Sequence, residues 1–162
     1  MKMLLLLRHA KSSWKHAELA DHDRPLKKRG RNAAKRMGQL LRELDLVPQH
    51  VLSSTAVRAF DTARLAADGM KFKALIEPVS ALYQAEPSTF VAVVSHLPDR
   101  FDRLLIVGHN PGLENWLARL IGRTEELPTA ALAQVELPIN NWLDLIPDTH
   151  AKLLGLWRWK EL

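Results

Sequence analysis

The chain has 162 residues, 47% of them apolar and 25% charged, with a net charge of +5 and no cysteine. These values suit a single globular domain, residues 1–162, large enough to bury a core without staples. Disulfides, thiolate catalysis and cysteine-ligated zinc are excluded, and no stretch approaches the roughly 18 apolar residues that a membrane span needs.

The start, Met1-Lys2-Met3-Leu4-Leu5-Leu6-Leu7-Arg8, has the look of a signal peptide. Its apolar run stops at Arg8, however, and no small-residue cleavage site follows. We therefore read residues 3–7 as a short strand covered on both faces and expect a cytoplasmic protein without a membrane partner. Apolar residues at Ala33, Ala34, Met37, Leu40, Leu41 and Leu44 then recur at helical spacing over residues 26–46, with Pro25 at the start. Much of the positive charge lies here, in Lys27, Lys28, Arg29, Arg31, Lys35 and Arg36. No aromatic residue interleaves with this run to stack a base, so it reads as a solvated helix face rather than a nucleic-acid site.

Val51 and Leu52 form a second short strand, and residues 55–67 a helix with Gly69 near its end. Residues 75–79 read as a strand interrupted by Pro78, and residues 87–97 as a helix opened by Pro87 and closed before Pro98. A strongly apolar strand at 103–107 ends at Gly108 and leads into a helix at 112–121. Residues 131–137 and 152–159 read as two further strands joined by 140–150. Strands alternating with helices of this length predict βαβ units, hence an α/β fold with a mostly parallel sheet.

In such sheets ligands bind at the carboxyl ends of the strands. Arg8 and His9 follow the first strand. Ser53, Ser54 and Arg58 follow the second, and His109 and Asn110 follow the strand at 103–107. The rim so formed would gather two arginines, two histidines and several hydroxyls. Arginine presents a planar fork that matches phosphate oxygens, and histidine can act as a nucleophile or base. The carboxylates that would hold magnesium are missing from this set. The combination predicts phosphoryl transfer to a side chain, with no metal and no cofactor. For Arg58 the competing expectation is a surface ion pair with Asp61 or Asp45. His16, His22, His50, His96 and His150 show no metal-ligand spacing and read as surface residues.

Three segments, Leu7-Arg8-His9-Ala10, Ser53-Ser54-Thr55-Ala56-Val57-Arg58-Ala59-Phe60-Asp61-Thr62-Ala63 and Val107-Gly108-His109-Asn110-Pro111, resemble the signature blocks of the histidine phosphatase superfamily. Asp23-Arg24-Pro25-Leu26 with Arg29-Gly30 resembles the family's block at the first helix. The short length and the Arg-His-Ala variant are similar to the phosphohistidine phosphatase SixA branch rather than to the mutases.

The resemblance implies a three-layer α/β/α domain with helices on both faces of the sheet, a phosphoglycerate mutase-like fold. It further implies that His9 attacks phosphorus, that Arg8 and Arg58 bind phosphate oxygens, and that His109 donates to the phosphoryl group. Arg24 is a candidate to widen the basic pocket. The substrate would be a phosphohistidine on a protein. The alternatives are a small phosphorylated metabolite, or a phosphoprotein that is bound without turnover.

Two positions depart from the family pattern. Ala10 stands where many members have glycine, which requires a negative φ there. Larger members supply a glutamate as general acid after the third strand; here Glu86 and Asp21 are the candidates.

Overall fold

The computed structural model describes residues 1–162. Six strands form one sheet in the order β3-β2-β4-β1-β5-β6. These are β1 (Lys2–Arg8), β2 (His50–Ser53), β3 (Glu77–Pro78), β4 (Arg103–Gly108), β5 (Leu132–Leu137) and β6 (Lys152–Trp157), with helices α1 (Lys28–Glu43), α2 (Val57–Met70), α3 (Pro87–Val94) and α4 (Gly112–Ile121) between them. The pairings from β3 through β1 are parallel. Those of β1 with β5 and of β5 with β6 are antiparallel, so the sheet is mixed.

Alternation along the apolar strands divides the core. Leu4, Leu6, Leu104 and Ile106 face one side, where they pack with Phe90, Val94, Leu113, Trp116 and Leu117 of α3 and α4. Leu5, Leu7, Leu105 and Val107 face the other side, against Ala33, Ala34, Met37, Ala59, Ala63 and Ala66 of α1 and α2. Successive strand side chains point to opposite faces, which is why β1 carries an unbroken apolar run. The result is the three-layer α/β/α arrangement.

Several element ends differ from the sequence reading, each for a local reason. Helix α1 begins at Lys28, because Leu26 bridges to Ser12 as extended chain and the Lys27 N–H donates to the Lys11 carbonyl. Helix α2 starts at Val57 and runs through Gly69 to Met70. Gly69 is interior because it lies against α1, where a Cβ would stand 2.3 Å from the Lys35 carbonyl oxygen. The third strand shrinks to Glu77–Pro78 at the sheet edge, the place where a proline's missing N–H is tolerated. Helix α3 stops at Val94, three residues short of expectation.

The register brings Ser53 beside Val107 and Arg8 beside Gly108. The carboxyl ends of β2, β4 and β1 therefore open on one rim. No helix is long and apolar enough to cross a membrane.

Candidate active site

His9 leaves β1 with its backbone N–H donating to the Gly108 carbonyl at 3.0 Å. Its side chain is buried, and Nδ1 lies 2.8 Å from the Ala10 carbonyl oxygen. A carbonyl can only accept, so Nδ1 carries the proton and Nε2 keeps its lone pair. Burial, reinforced by the nearby guanidinium groups of Arg58, Arg8 and Arg24, lowers the His9 pKa to about 4. The imidazole is thus neutral near pH 7. Ala10 is not among the residues with positive φ. It is fully buried, with its N–H donating to Thr62 Oγ1, so the backbone accepts a methyl group here without strain.

His109 follows β4, its ring centroid 5.0 Å from that of His9. Nε2 lies 2.7 Å from Ser54 Oγ, while Nδ1 is buried with no partner. Burial is the main cause of a pKa lowered to about 3; the cost of protonating both rings of the His9–His109 pair, and the Arg58 guanidinium, add to it. Ser54 also accepts from the Ala56 N–H at 3.2 Å, which ties this hydroxyl to the start of α2.

Three arginines border the same cleft, together with His9, His109, Ser12, Trp14 and Asp21. Arg8 donates Nη1 to the Leu127 carbonyl, and its buried Nε has no partner. Arg58, in the first turn of α2, donates Nη1 to the Asp21 carbonyl at 2.7 Å and Nη2 to Asp21 Oδ2 at 3.0 Å. Neither of its expected surface partners is used. Asp61 pairs with Arg64 instead, and Asp45 lies in the turn after α1. Arg24 donates to Asp21 Oδ1, Ser12 Oγ and the Ser13 carbonyl, and its guanidinium stacks 3.2 Å over the Trp14 ring.

Of the two acid candidates, Asp21 is the one tied into the arginine network. Hydrogen bonds from Tyr83 first, and from Arg24 and Arg58, hold its carboxyl well below the usual carboxylate range. Asp21 thereby bridges the guanidinium groups of Arg24 and Arg58. Glu86 stands differently. It is exposed, sits at the first position before α3 without a side-chain capping bond, and lines a pocket next to the cleft with Arg58, Tyr83 and His109.

Nothing in the local sequence pattern marks Tyr83 as a site residue. It donates to Asp21 Oδ2 and lies edge-on to His109, with centroids 5.5 Å apart. Its only sequence signal is a lone tyrosine in the segment that also holds Glu86. His22 and His50 are half-buried rather than surface residues. His22 bonds Thr55 Oγ1 and meets the edge of Tyr83, while His50 pairs with Glu77 and stacks on Phe101. No three histidine, aspartate or glutamate side chains converge in a way that would hold a metal ion. The cleft instead joins a neutral ring nitrogen with a free lone pair to several fixed cationic forks. That set can bind a tetrahedral oxyanion and accept its central atom.

The family model of the histidine phosphatase superfamily (branch 1) matches residues 4–81. An uncharacterised protein of Mycobacterium tuberculosis is 35% identical over 156 residues, which cover 90% of this chain and 95% of its own. Among solved structures, a candidate phosphohistidine phosphatase SixA from Nakamurella multipartitia superposes with a TM-score of 0.83 at 25% identity, covering 97% of this chain and 95% of its own. The protein histidine phosphatase SixA complexed with tungstate shares the fold, with a TM-score of 0.84 at 19% identity over 98% of both chains.

Proposed function

This chain belongs to the histidine phosphatase superfamily, and on that premise we propose that it hydrolyses a phosphohistidine on a protein, using His9 as the phosphate-accepting nucleophile. The observation that carries the reading is the state of His9: neutral, oriented by the Ala10 carbonyl, and surrounded by Arg8, Arg24 and Arg58.

The chemistry follows from that placement. The arginines bind the phosphoryl oxygens and neutralise their charge, which is most of what phosphoryl transfer asks of a protein. The Nε2 lone pair of His9 forms a bond to phosphorus as the bond to the substrate imidazole breaks. Protonation of that imidazole on its other nitrogen beforehand lets it depart neutral. Phospho-His9, still protonated on Nδ1, carries a positive ring, and the Ala10 carbonyl 2.8 Å away stabilises it. His109 donates to the developing charge. Water then attacks phosphorus, releasing inorganic phosphate and restoring neutral His9. No step needs a metal, because guanidinium groups supply the countercharge.

The substrate class rests on the leaving group. An alkoxide needs a proton donor as it departs, typically worth about 10²–10⁴-fold, and the ionised Asp21 cannot be that donor. A pre-protonated imidazole needs none. Likeness to SixA-type structures points the same way. One observation favours a second reading: Glu86 lines the pocket next to the cleft uncapped, where it could protonate a sugar phosphate's leaving oxygen. The two are separated by measuring a phosphohistidine protein and sugar phosphates on wild type and Glu86→Gln. Efficient sugar phosphate turnover that collapses in Glu86→Gln would replace the first reading with the second.

A further inference from the structure

We infer that the basic pocket beside the cleft is an accessory anion subsite, and that it takes an acidic side chain next to the phosphorylated residue of a protein substrate. This deepens the proposed function and rests on it.

The pocket has a volume of about 300 Å³ and is lined by Arg8, Lys11, Arg29, Thr129, Trp159 and Lys160, among others. Arg8, Lys11 and Thr129 also line the catalytic cleft, so the two spaces adjoin across these side chains. Four cationic side chains face the pocket and no carboxylate does. The nearest candidate by sequence, Glu161, points its carboxylate to Arg158 instead. Arg8 feels the carboxylate of Glu114, but Lys11, Arg29 and Lys160 form no ion pair within the chain; gathering these like charges is unfavourable, so the arrangement asks for an anion from outside.

The backbone shows that this gathering is built. Lys27 N–H donates to the Lys11 carbonyl at 2.9 Å, and a Cβ on Gly30 would stand 2.1 Å from the same oxygen. Only glycine lets α1 come this close to the segment after β1. That approach carries Arg29 to Lys11 and Arg8. The first turn of α1 has no acidic residue, and Lys28 and Arg29 occupy it instead. Cations there oppose the helix dipole, so the helix gains nothing from them locally. Opposite, Ala130 holds the turn 128–130 against β1 with a left-handed φ of 63°, its N–H donating to the carbonyls of Arg8 and His9. An L-residue held in that region stores strain of the kind found at binding sites. Trp159 supplies an apolar wall to the pocket.

The occupant follows from the position. A substrate phosphate on His9 is one wall away, so the second anion belongs to the same molecule. A pocket lined by exposed, long, flexible cations, Lys11, Arg29 and Lys160, suits a carboxylate on a protein surface, read by charge.

Two phosphohistidine peptides test this, one with glutamate beside the phosphorylated residue and one with glutamine. Wild type should show a KM on the order of tenfold lower for the glutamate peptide, the sum expected of two exposed ion pairs. Arg29→Glu/Lys160→Glu should abolish that preference, leaving turnover of the glutamine peptide and of a small aryl phosphate unchanged. An unphosphorylated glutamate peptide should inhibit aryl phosphate turnover competitively in wild type and not in the variant. Equal KM values for the two peptides in wild type, or equal losses on both in the variant, would overturn the inference. Inhibition by the glutamate peptide without phosphohistidine turnover would support the subsite and overturn the proposed function alone. A KM increase confined to bisphosphorylated metabolites would assign the pocket to small molecules and overturn the inference.

Discussion

Arg58 grips Asp21 twice, through the backbone carbonyl at 2.7 Å and the carboxylate at 3.0 Å. A cation expected to serve the phosphate is thereby held in place by an anion of the same chain, which also receives Arg24 and Tyr83. The carboxylate is about half exposed, so the clamp is open to solvent and its loss should be tolerated. Asp21→Asn keeps the carbonyl bond to Arg58 and removes the charge. Phosphohistidine turnover should fall by less than about tenfold, well short of the 10²–10⁴-fold typical of a lost general acid. A drop of the larger size, with loss of a limb from the pH–rate profile, would return Asp21 to the role of acid.

His9→Ala should eliminate turnover while leaving the fold intact, since the ring lines the cleft just past the end of β1. In wild type, quenching without acid should trap a phosphoenzyme that is labile to acid and absent from the variant. Full-rate turnover by His9→Ala would remove the nucleophile from the mechanism.

Replacing Arg58 separates geometry from charge. Arg58→Ala should lower kcat/KM by about 10²-fold or more, the range seen when one donor to a developing oxyanion is lost. Arg58→Lys should recover only part of this, because an ammonium cannot donate along two parallel directions as the guanidinium fork does. Equal rates for lysine and arginine would show that charge alone suffices.

The depressed pKa values of His9 and His109 predict how stability depends on pH. Both are lowered from 6.5, to about 4 and about 3 respectively. Between those values and 6.5 the unfolded chain binds more protons than the folded one, so stability rises with pH across this window and is lost as pH falls through it. Urea midpoints should decline from pH 7 to pH 4, and His9→Gln should flatten the decline. A midpoint that rose on acidification over this range would contradict the buried, neutral state of the two rings.

Exhaustive chelation should leave turnover intact, because arginine side chains can provide the countercharge that a metal would otherwise supply. Loss of activity on chelation, restored by magnesium, would falsify metal independence.

The sequence by itself determined the layers and the rim. An unbroken apolar run in β1, a helical period in α1 and α4, and the order of strand and helix specify a sheet covered on both faces. Arg8-His9, Ser54 and His109 each lie at or just past a strand end, and Arg58 opens the helix after β2, so their convergence follows from parallel pairing. Spacing along a chain records such local periods well. It does not record partners far apart in sequence. Arg58 meets Asp21 across 37 positions and Tyr83 meets Asp21 across 62, and no local pattern marks either pair. The antiparallel return of β5 and β6, the neutrality of His9 and the acid-free basic pocket likewise exist only once the chain has folded. Each depends on burial or on juxtaposition of distant charges, and the strength of those effects is set by distance in space.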